Sequence, residues 1–509
     1  MSLVAIFQCR SASTSPSRIK IRRRLLGRCA PIAAVGIAGG LLLIGMIFAP
    51  SAHASTYTWD GTVNDWFAAP SHWGSTTLGT FPGTTDDAKN LTAAAMTLGQ
   101  STTIQSFFSN GGFSLNGGTF TGSLASAAGT IQVNALFTLN GGQISNFTVQ
   151  QGTGGSVVVT GSGGNQIIDS ILNSNLDMNT NVNANVDLYG TVTENGAITL
   201  GTTSNGIRLV SSNTSLNIGS AGSLTGFGSV YQYNANTLNN GGTINANSAG
   251  NTLNINTTSF TNTGTAEVQN GAFLSVTGAN TDSGNVLVST GGTATFGQGL
   301  TQTAGTTQVD GTLNSAITLT GGTLKGTGTV VGNVVNNGGT IAPGDSPGKL
   351  SITGAFTQNS GTFSIEFNNT AHDLLAVSGL VTTGGILDVN YVGTGASTGV
   401  GSIFDILDYG SVATSLTGSQ FFSNQGADGL IIGHDGFTYM LINDTTNNQL
   451  HLKELTAGNP VPETSSVVSL GLLLLLGGVS LCCVKRRATG REWPSQKGLD
   501  GCPLTHKLS

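Results

Sequence analysis

The chain has 509 residues, of which only 8% are charged and 76 are glycine. A single compact core rarely extends over such a length, and both proportions are far from those of an ordinary globular domain. The net charge of −6 excludes a broad basic surface, so nucleic acid is not an expected partner.

The first 54 residues have the three parts of a secretory signal peptide. A basic segment at residues 18–28 precedes an apolar run from Ala30 to Phe48, and Ala52 and Ala54 supply the small residues of a cleavage site. We expect a signal helix within residues 1–54, with cleavage after Ala54. An uncleaved membrane anchor is the alternative. None of the five cysteines lies between residues 55 and 460, so this part of the chain can hold no disulfide and no thiolate metal site.

Residues 55–100 contain three of the four tryptophans, Trp59, Trp66 and Trp73. An aromatic cluster at the start of a repeat array predicts a cap that shields the open end of the core from water. The alternative is a carbohydrate contact at the same three residues, because flat aromatic faces suit pyranose rings.

Residues 101–390 are built from short runs in which apolar residues alternate with Thr, Ser or Asn, and Gly, Asn or Pro bounds each run. This pattern is typical of short strands joined by turns. A Gly-Gly-Thr turn recurs at 117–119, 241–243, 291–293, 321–323 and 338–340. The irregular spacing favours the rungs of a parallel β-helix, which we expect to be right-handed, with Gly supplying positive φ angles at the corners. A disordered tract is the alternative, and the Asn-rich residues 165–185 are either an insertion or ordinary rungs.

The Gly-Gly-Thr turns stop near Tyr391. In the segment that follows, apolar residues alternate at 437, 439 and 441, and again at 450 and 452, with a polar stretch between. We expect residues 391–456 to form a β-rich C-terminal cap that ends in a β-hairpin.

Most of residues 56–410 resemble bacterial surface proteins built from autotransporter-associated β-strand repeats. The similar features are Trp59-Asp60-Gly61 with the two later tryptophans, the Pro-Gly to Asp-Asp turn at 82–87, and residues 338–348, which look like the final rung of that group. The resemblance implies an exported surface protein. A true autotransporter would need a C-terminal domain of transmembrane strands, and we expect one apolar helix there instead.

Residues 457–465 form a linker and motif, residues 466–484 an uncharged run long enough to span a bilayer, and residues 485–509 a basic cluster with a cytoplasmic tail. This order of motif, apolar run and basic cluster resembles the PEP-CTERM sorting signal. Four motif residues match, with Thr464 where the family usually has a second Pro: Val461, Pro462, Glu463 and Ser465. The resemblance implies retention by the helix and processing by a membrane exosortase, with a stop-transfer cluster at Lys485, Arg486 and Arg487. A plain single-pass anchor is the alternative.

Catalytic candidates are few. The acids between residues 101 and 345 occur singly, at Asp169, Asp177, Asp187, Glu194, Glu267, Asp282 and Asp310. We interpret them as solvated surface groups. His372-Asp373 and His434-Asp435 each place an imidazole beside a carboxylate, but neighbours on a strand point to opposite faces. A Ca²⁺ site that joins Asp373 to Asp405 and Asp408 is an alternative to hydrogen-bonded turns. We predict no catalytic residue, no cofactor and no metal.

Taken together, the sequence predicts an all-β parallel solenoid with a signal helix before it and one transmembrane helix after it. We expect a non-enzymatic structural or adhesive protein that a bacterium exports, tethers to its inner membrane and then places in the envelope, on the surface or outside the cell. Expected partners are the membrane, an exosortase-like enzyme, and exopolysaccharide or a neighbouring cell surface. A polysaccharide-binding or polysaccharide-cleaving β-helix is the alternative.

Overall fold

The computed structural model describes residues 55–74, 80–124, 127–153, 155–161, 163–394, 399–412, 421–426 and 428–456. The predicted signal peptide, linker, sorting motif, transmembrane helix and tail lie outside these residues. Several predicted site residues lie outside them too, namely Ala52, Ala54, Val461, Pro462, Glu463, Ser465, Lys485, Arg486 and Arg487. Among the residues described, no helix is both long and apolar enough to cross a bilayer.

The described part of the chain forms 45 β-strands and one short 3-10 helix, Pro70–His72. The first fifteen strands are β1 (Thr56–Trp59), β2 (Trp73–Gly74), β3 (Asp87–Asn90), β4 (Met96–Leu98), β5 (Thr102–Ile104), β6 (Ser106–Ser109), β7 (Phe113–Asn116), β8 (Thr119–Gly122), β9 (Gly129–Val133), β10 (Phe137–Asn140), β11 (Gln143–Ser145), β12 (Phe147–Gln150), β13 (Val157–Thr160), β14 (Gln166–Ile168) and β15 (Ile171–Asn173). The next fifteen are β16 (Leu176–Asp177), β17 (Asn185–Tyr189), β18 (Thr191–Glu194), β19 (Ala197–Leu209), β20 (Ser215–Ile218), β21 (Ser223–Gln232), β22 (Thr237–Asn240), β23 (Thr243–Ala246), β24 (Thr252–Asn256), β25 (Ser259–Asn262), β26 (Thr265–Val268), β27 (Phe273–Val276), β28 (Ala279–Asp282), β29 (Asn285–Val288) and β30 (Thr293–Phe296). The last fifteen are β31 (Leu300–Gln302), β32 (Thr306–Val309), β33 (Thr312–Asn314), β34 (Ile317–Leu319), β35 (Thr323–Gly326), β36 (Thr329–Val331), β37 (Val334–Pro343), β38 (Lys349–Ile352), β39 (Phe356–Phe367), β40 (Leu374–Thr382), β41 (Ile386–Tyr391), β42 (Ile403–Val412), β43 (Leu430–Ile432), β44 (Thr438–Asp444) and β45 (Gln449–Glu454).

Parallel pairing between successive rungs arranges these strands on three faces of a β-solenoid of about 14 turns. Face 1 contains β3, β6, β9, β12, β15, β18, β20, β22, β25, β28, β31 and β34. Face 2 contains β4, β7, β10, β13, β16, β23, β26, β29, β32, β35 and β41, and face 3 contains β5, β8, β11, β14, β17, β24, β27, β30, β33, β36 and β38. The longer strands continue across a corner, so β19 and β21 belong to faces 2 and 3, β37 and β39 to faces 1 and 2, and β40 and β42 to faces 3 and 1.

The alternation seen in the sequence becomes an alternation of inward and outward side chains. In β22, for example, Leu238 and Asn240 are buried while the residues between them are partly exposed. Because strands one rung apart are in register, the inward residues of all three faces stack into a single apolar column that no one rung could bury alone. The predicted parallel β-solenoid is confirmed. Residues 165–185 form β14 to β17 and are ordinary rungs.

The two ends of the solenoid differ. At the N-terminal end, β1 pairs in parallel with β3 and antiparallel with β2, so rungs already begin within the predicted cap segment 55–100. At the C-terminal end, β45 pairs antiparallel with both β42 and β44. The predicted hairpin is therefore present as β44 and β45.

Candidate functional site on face 3

The three predicted carbohydrate contacts lie in the core. Trp59, Trp66 and Trp73 are each at most 1% exposed. Their ring centroids are 4.9 Å apart for Trp59 and Trp73, and 4.5 Å apart for Trp66 and Trp73, and Trp66 also packs on Phe107 of the next rung. Rings buried in this way offer no open face to a sugar, so the predicted carbohydrate contact at these three residues is wrong.

A different group of aromatic residues lies on the outward side of face 3. Strands β17, β19 and β21 are stacked so that Asp187 pairs with Arg208, and Arg208 with Tyr231. These three side chains form one outward column over three rungs. Tyr233 follows two positions after Tyr231 and is 61% exposed, and Tyr189 lies two positions after Asp187. We call these five residues the tyrosine–arginine cluster.

The cluster is held by contacts among its own members. The Nε–H of Arg208 donates a hydrogen bond to Oδ1 of Asp187, and both side chains are less than one-fifth exposed. The rings of Tyr231 and Tyr233 meet edge to face, with centroids 5.9 Å apart and planes at 76°. Edge-to-face contact is a favoured arrangement of aromatic rings, so the pair presents a fixed surface.

A glycine makes room for one of these rings. A Cβ atom at Gly206 would come within 2.8 Å of Cε1 of Tyr231 and 2.7 Å of Oδ1 of Asn185. No side chain fits in that space without movement of its neighbours. The absence of a side chain at Gly206 therefore lets the Tyr231 ring lie close to the sheet.

Burial and charge act together on the ionisable groups. Partial burial raises the pKa of Tyr231, with a further contribution from Tyr233, and burial followed by the Asp187 charge raises the pKa of Tyr189. Partial burial alone would lower the pKa of Arg208, but the ion pair with Asp187 outweighs it and the net direction is upward. The raised pKa values keep Tyr189 and Tyr231 protonated and Arg208 charged at neutral pH, so the cluster offers O–H and N–H donors.

Beside Tyr231 the sheet forms a shallow depression of about 240 Å³. It is lined on the following rungs by Asn254, Asn256, Ser275 and Thr277. The hydroxyl of Thr277 donates to Oδ1 of Asn256 at 2.9 Å. Aromatic rings next to fixed hydroxyls and amides are suited to binding a polar ligand that also has apolar surface.

Sequence reasoning missed this cluster because its members are far apart in the chain. Asp187 and Arg208 are 21 residues apart, and only the length of a rung reveals that they touch. One signal was available. Arg208 is the only arginine between residues 29 and 485, and the alternating Tyr231 and Tyr233 follow it by about one rung.

The two His-Asp pairs do not act as pairs. Asp373 is buried and accepts backbone N–H bonds from Gly348 at 2.7 Å and Glu366 at 2.8 Å; burial raises its pKa to about 7 against these bonds. His372 instead packs its ring on Phe404, with centroids 5.7 Å apart.

In the second pair, Asp435 accepts a hydrogen bond from the Tyr439 hydroxyl, and Nδ1 of His434 lies 3.6 Å from Oδ1 of Asp388. Asp405 is paired with His451. Among the residues described, no three His, Cys, Asp or Glu side chains are arranged to hold a metal ion.

Two of the acids interpreted as solvated are buried, and that interpretation is wrong for them. Glu194 is 1% exposed and Asp282 is fully buried. Both stand at the last inward position of a face 1 strand, just before the corner. The alternation of apolar and polar residues places both side chains inward. Because a charged residue at a turn is usually solvated, the sequence-based interpretation put them on the surface instead.

Comparison of the sequence with protein-family models finds no match, and no curated protein is significantly similar to it.

Proposed function

We propose that the chain is an exported, non-enzymatic structural or adhesive protein of a bacterial envelope or extracellular matrix. In this proposal a right-handed solenoid presents repeated polar columns to its surroundings. The observation that supports it is the outward side of face 3, where one column places Thr293, Thr312, Thr329 and Ser351 on successive rungs.

Repetition is the physical basis of the proposed role. Each hydroxyl or amide contributes little to binding alone, because it exchanges one hydrogen bond with water for another. Neighbouring rungs of a sheet are about 4.8 Å apart, so the same groups recur along the solenoid axis. A partner that also repeats can engage several of them at once and gain avidity.

Delivery to the surface rests on the two ends of the sequence. We propose that the signal peptide directs export, that the helix at 466–484 retains the protein in the inner membrane, and that an exosortase-like enzyme then acts at Val461-Pro462-Glu463. The support is the order of motif, uncharged run and basic cluster.

The fate of the C-terminus tests this proposal. One tag is inserted after Ala54 and a second after Ser509, and the host cells are fractionated. We expect the N-terminal tag in the envelope or the medium and the C-terminal tag to be lost. A variant with Pro462→Ala and Glu463→Ala is expected to keep both tags at the inner membrane, whereas Lys89→Ala, in the solenoid, serves as the control and is processed normally. Retention of both tags by the unaltered protein would refute processing.

A second candidate function is polysaccharide binding, and the tyrosine–arginine cluster favours it. Cleavage of a polysaccharide has less support, because it would require carboxylates and a base to converge on one outer face. Asp187, the carboxylate of the cluster, is already occupied by Arg208.

A further inference from the structure

We propose that the tyrosine–arginine cluster is a binding subsite for an uncharged polysaccharide, with sugar rings lying on Tyr231 and Tyr233. This inference rests on the proposed function, since it supplies the contact through which an exported solenoid would hold matrix polysaccharide.

The exposed rings contribute little to the solenoid itself. A tyrosine that served the core would bury its ring, as Tyr391 and Tyr439 do in the C-terminal part of the chain. Tyr233 instead leaves 61% of its surface in water and packs edge to face on Tyr231. An amphipathic ring held rigid in solvent loses little conformational entropy when a ligand covers it.

The balance of charge selects the chemical class of ligand. Asp187 and Arg208 neutralise each other, and the remaining three members are uncharged phenols at neutral pH. An acidic polymer would gain little from an arginine that is already paired and would meet a chain of net charge −6. A neutral sugar can accept from the guanidinium and the phenols and place its C–H face on a ring.

The rungs then extend the subsite along the axis. Tyr231 pairs with Asn256 on the next rung, and Asn256 is bonded to Thr277 on the rung after that. At about 4.8 Å per rung, the depression continues the ring surface for roughly 10 Å. A short run of linked sugars fits this direction better than a single small molecule.

Glycan binding by the full-length protein in detergent tests the inference. The probes are neutral β-glucan and galactan oligosaccharides and, as the acidic comparison, polygalacturonate. We expect the unaltered protein to bind at least one neutral probe and Tyr233→Ala to weaken that binding about tenfold or more, as aromatic stacking contacts generally do. Gly206→Ala should also weaken it, because the added methyl group displaces the Tyr231 ring.

Phe273→Ala is the matched control, since Phe273 is a 41% exposed aromatic residue on the same face, outside the cluster. It should change binding less than about twofold. The subsite would be overturned if Tyr233→Ala bound as tightly as the unaltered protein, or if Phe273→Ala lost as much binding as Tyr233→Ala. It would also be overturned if the protein bound polygalacturonate alone, or no probe at all. The tag experiment is independent of these variants, so failed processing with intact glycan binding would refute processing at the C-terminus and leave the subsite standing.

Discussion

Polar residues line the inner side of the corner between face 1 and face 2. Ile218 of β20 and Leu319 of β34 hold the last inward position of their face 1 strands. Seven other face 1 strands have a polar residue there, at Glu194, Asn240, Asn262, Asp282, Gln302, Asn336 and Gln358. At Glu194, Asp282 and Asn336 the side chain accepts a hydrogen bond from a backbone N–H of the corner, as Asn336 does from Gly339 at 2.8 Å. Because an unpaired buried N–H is costly, these polar side chains stabilise the corner.

The side chains also bond from rung to rung. Nδ2 of Asn240 donates to Oδ1 of Asn262 at 2.7 Å, and Nδ2 of Asn262 donates to Oδ1 of Asp282 at 2.6 Å. The series stops there. Oδ2 of Asp282 and Oε1 of Gln302, one rung further, are both buried without a partner among the residues described. An ionised carboxylate has no hydrogen to donate, so the break is a consequence of the aspartate.

Asp282→Asn is expected to continue the series and stabilise the protein above pH 6. Burial raises the pKa of Asp282 to about 6, against hydrogen bonds from Asn262 and Gly284. The folded state therefore favours the protonated acid, and the wild type loses stability as pH rises from about 4, the unfolded value, through 6. The variant does not titrate, and its Nδ2 can donate towards Gln302. Thermal unfolding should show a gain of about 2 kcal/mol at pH 8 and little change at pH 4. An equal shift at both pH values would contradict this.

Glu194→Gln should also stabilise the protein, and over a wider pH range than Asp282→Asn. Burial raises the pKa of Glu194 to about 8, opposed by one hydrogen bond from the Gly196 N–H, and its other oxygen has no partner among the residues described. The wild type therefore loses stability as pH rises from about 4 through 8. We expect the unfolding temperature of the variant to exceed that of the wild type increasingly between pH 5 and 9. Glu267→Gln, on an outward position of β26, controls for the loss of a charge. No growth of the difference with pH would refute the buried placement.

At the scale of strands and turns, glycine is required at the corners for two reasons. Some corner positions have positive φ, and others lie too close to the preceding rung to carry a side chain. Within the Gly-Gly-Thr turns, Gly291 and Gly322 have positive φ, as the sequence predicts, but Gly242 does not. A Cβ on Gly242 would instead lie 2.1 Å from the carbonyl oxygen of Gly222 on the preceding rung. At the next corner, a Cβ on Gly264 would likewise lie 2.1 Å from the carbonyl oxygen of Gly242. Sequence reasoning found the glycines but gave only part of their cause.

Gly264→Ala is therefore expected to destabilise the solenoid although the φ of Gly264 is not positive. The methyl group would overlap the Gly242 carbonyl, and relieving such an overlap generally costs about 1–3 kcal/mol. Gly163→Ala is the matched control, because a Cβ there meets nothing within 4 Å and φ is not positive. Its unfolding temperature should stay close to that of the wild type. Similar shifts of the unfolding temperature in both variants would show that the change in backbone freedom, and not the contact with the Gly242 carbonyl, causes the effect.

The strands themselves were accessible from the sequence because alternation and turn residues are local signals. The register between rungs was not, since it depends on turns of unequal length. For that reason the outward column of Asp187, Arg208 and Tyr231 could not be assembled from the sequence. Glu194 and Asp282 were taken for surface residues for a different reason, because charged residues at turns are usually solvated. The tryptophan cluster was predicted as a cap. The burial of all three rings could not be predicted, because it depends on packing against the next rung, as Trp66 does on Phe107.

At the scale of the whole molecule, each rung contacts its two neighbours, and both ends carry extra structure. Partners in the ladder are about one rung apart in sequence, such as the 22 residues between Asn240 and Asn262. Stability in such an array is close to a sum of rung terms and nearest-neighbour interfaces. Damage to one rung should therefore spread through a few interfaces and fade, rather than unfold the chain as a single unit.

Leu253→Ala tests this locality. Leu253 is a fully buried residue of β24 on face 3, and truncating a buried leucine generally costs about 2–5 kcal/mol. We expect faster hydrogen exchange in peptides from β21 to β30, and unchanged exchange in β1 to β9, where the aromatic cap packs on its own rungs. Thr252→Ala, one residue away and outward, should leave both regions unchanged. Uniformly faster exchange would mean that the rungs unfold together, and the solenoid would then behave as one cooperative domain despite its neighbour-only contacts.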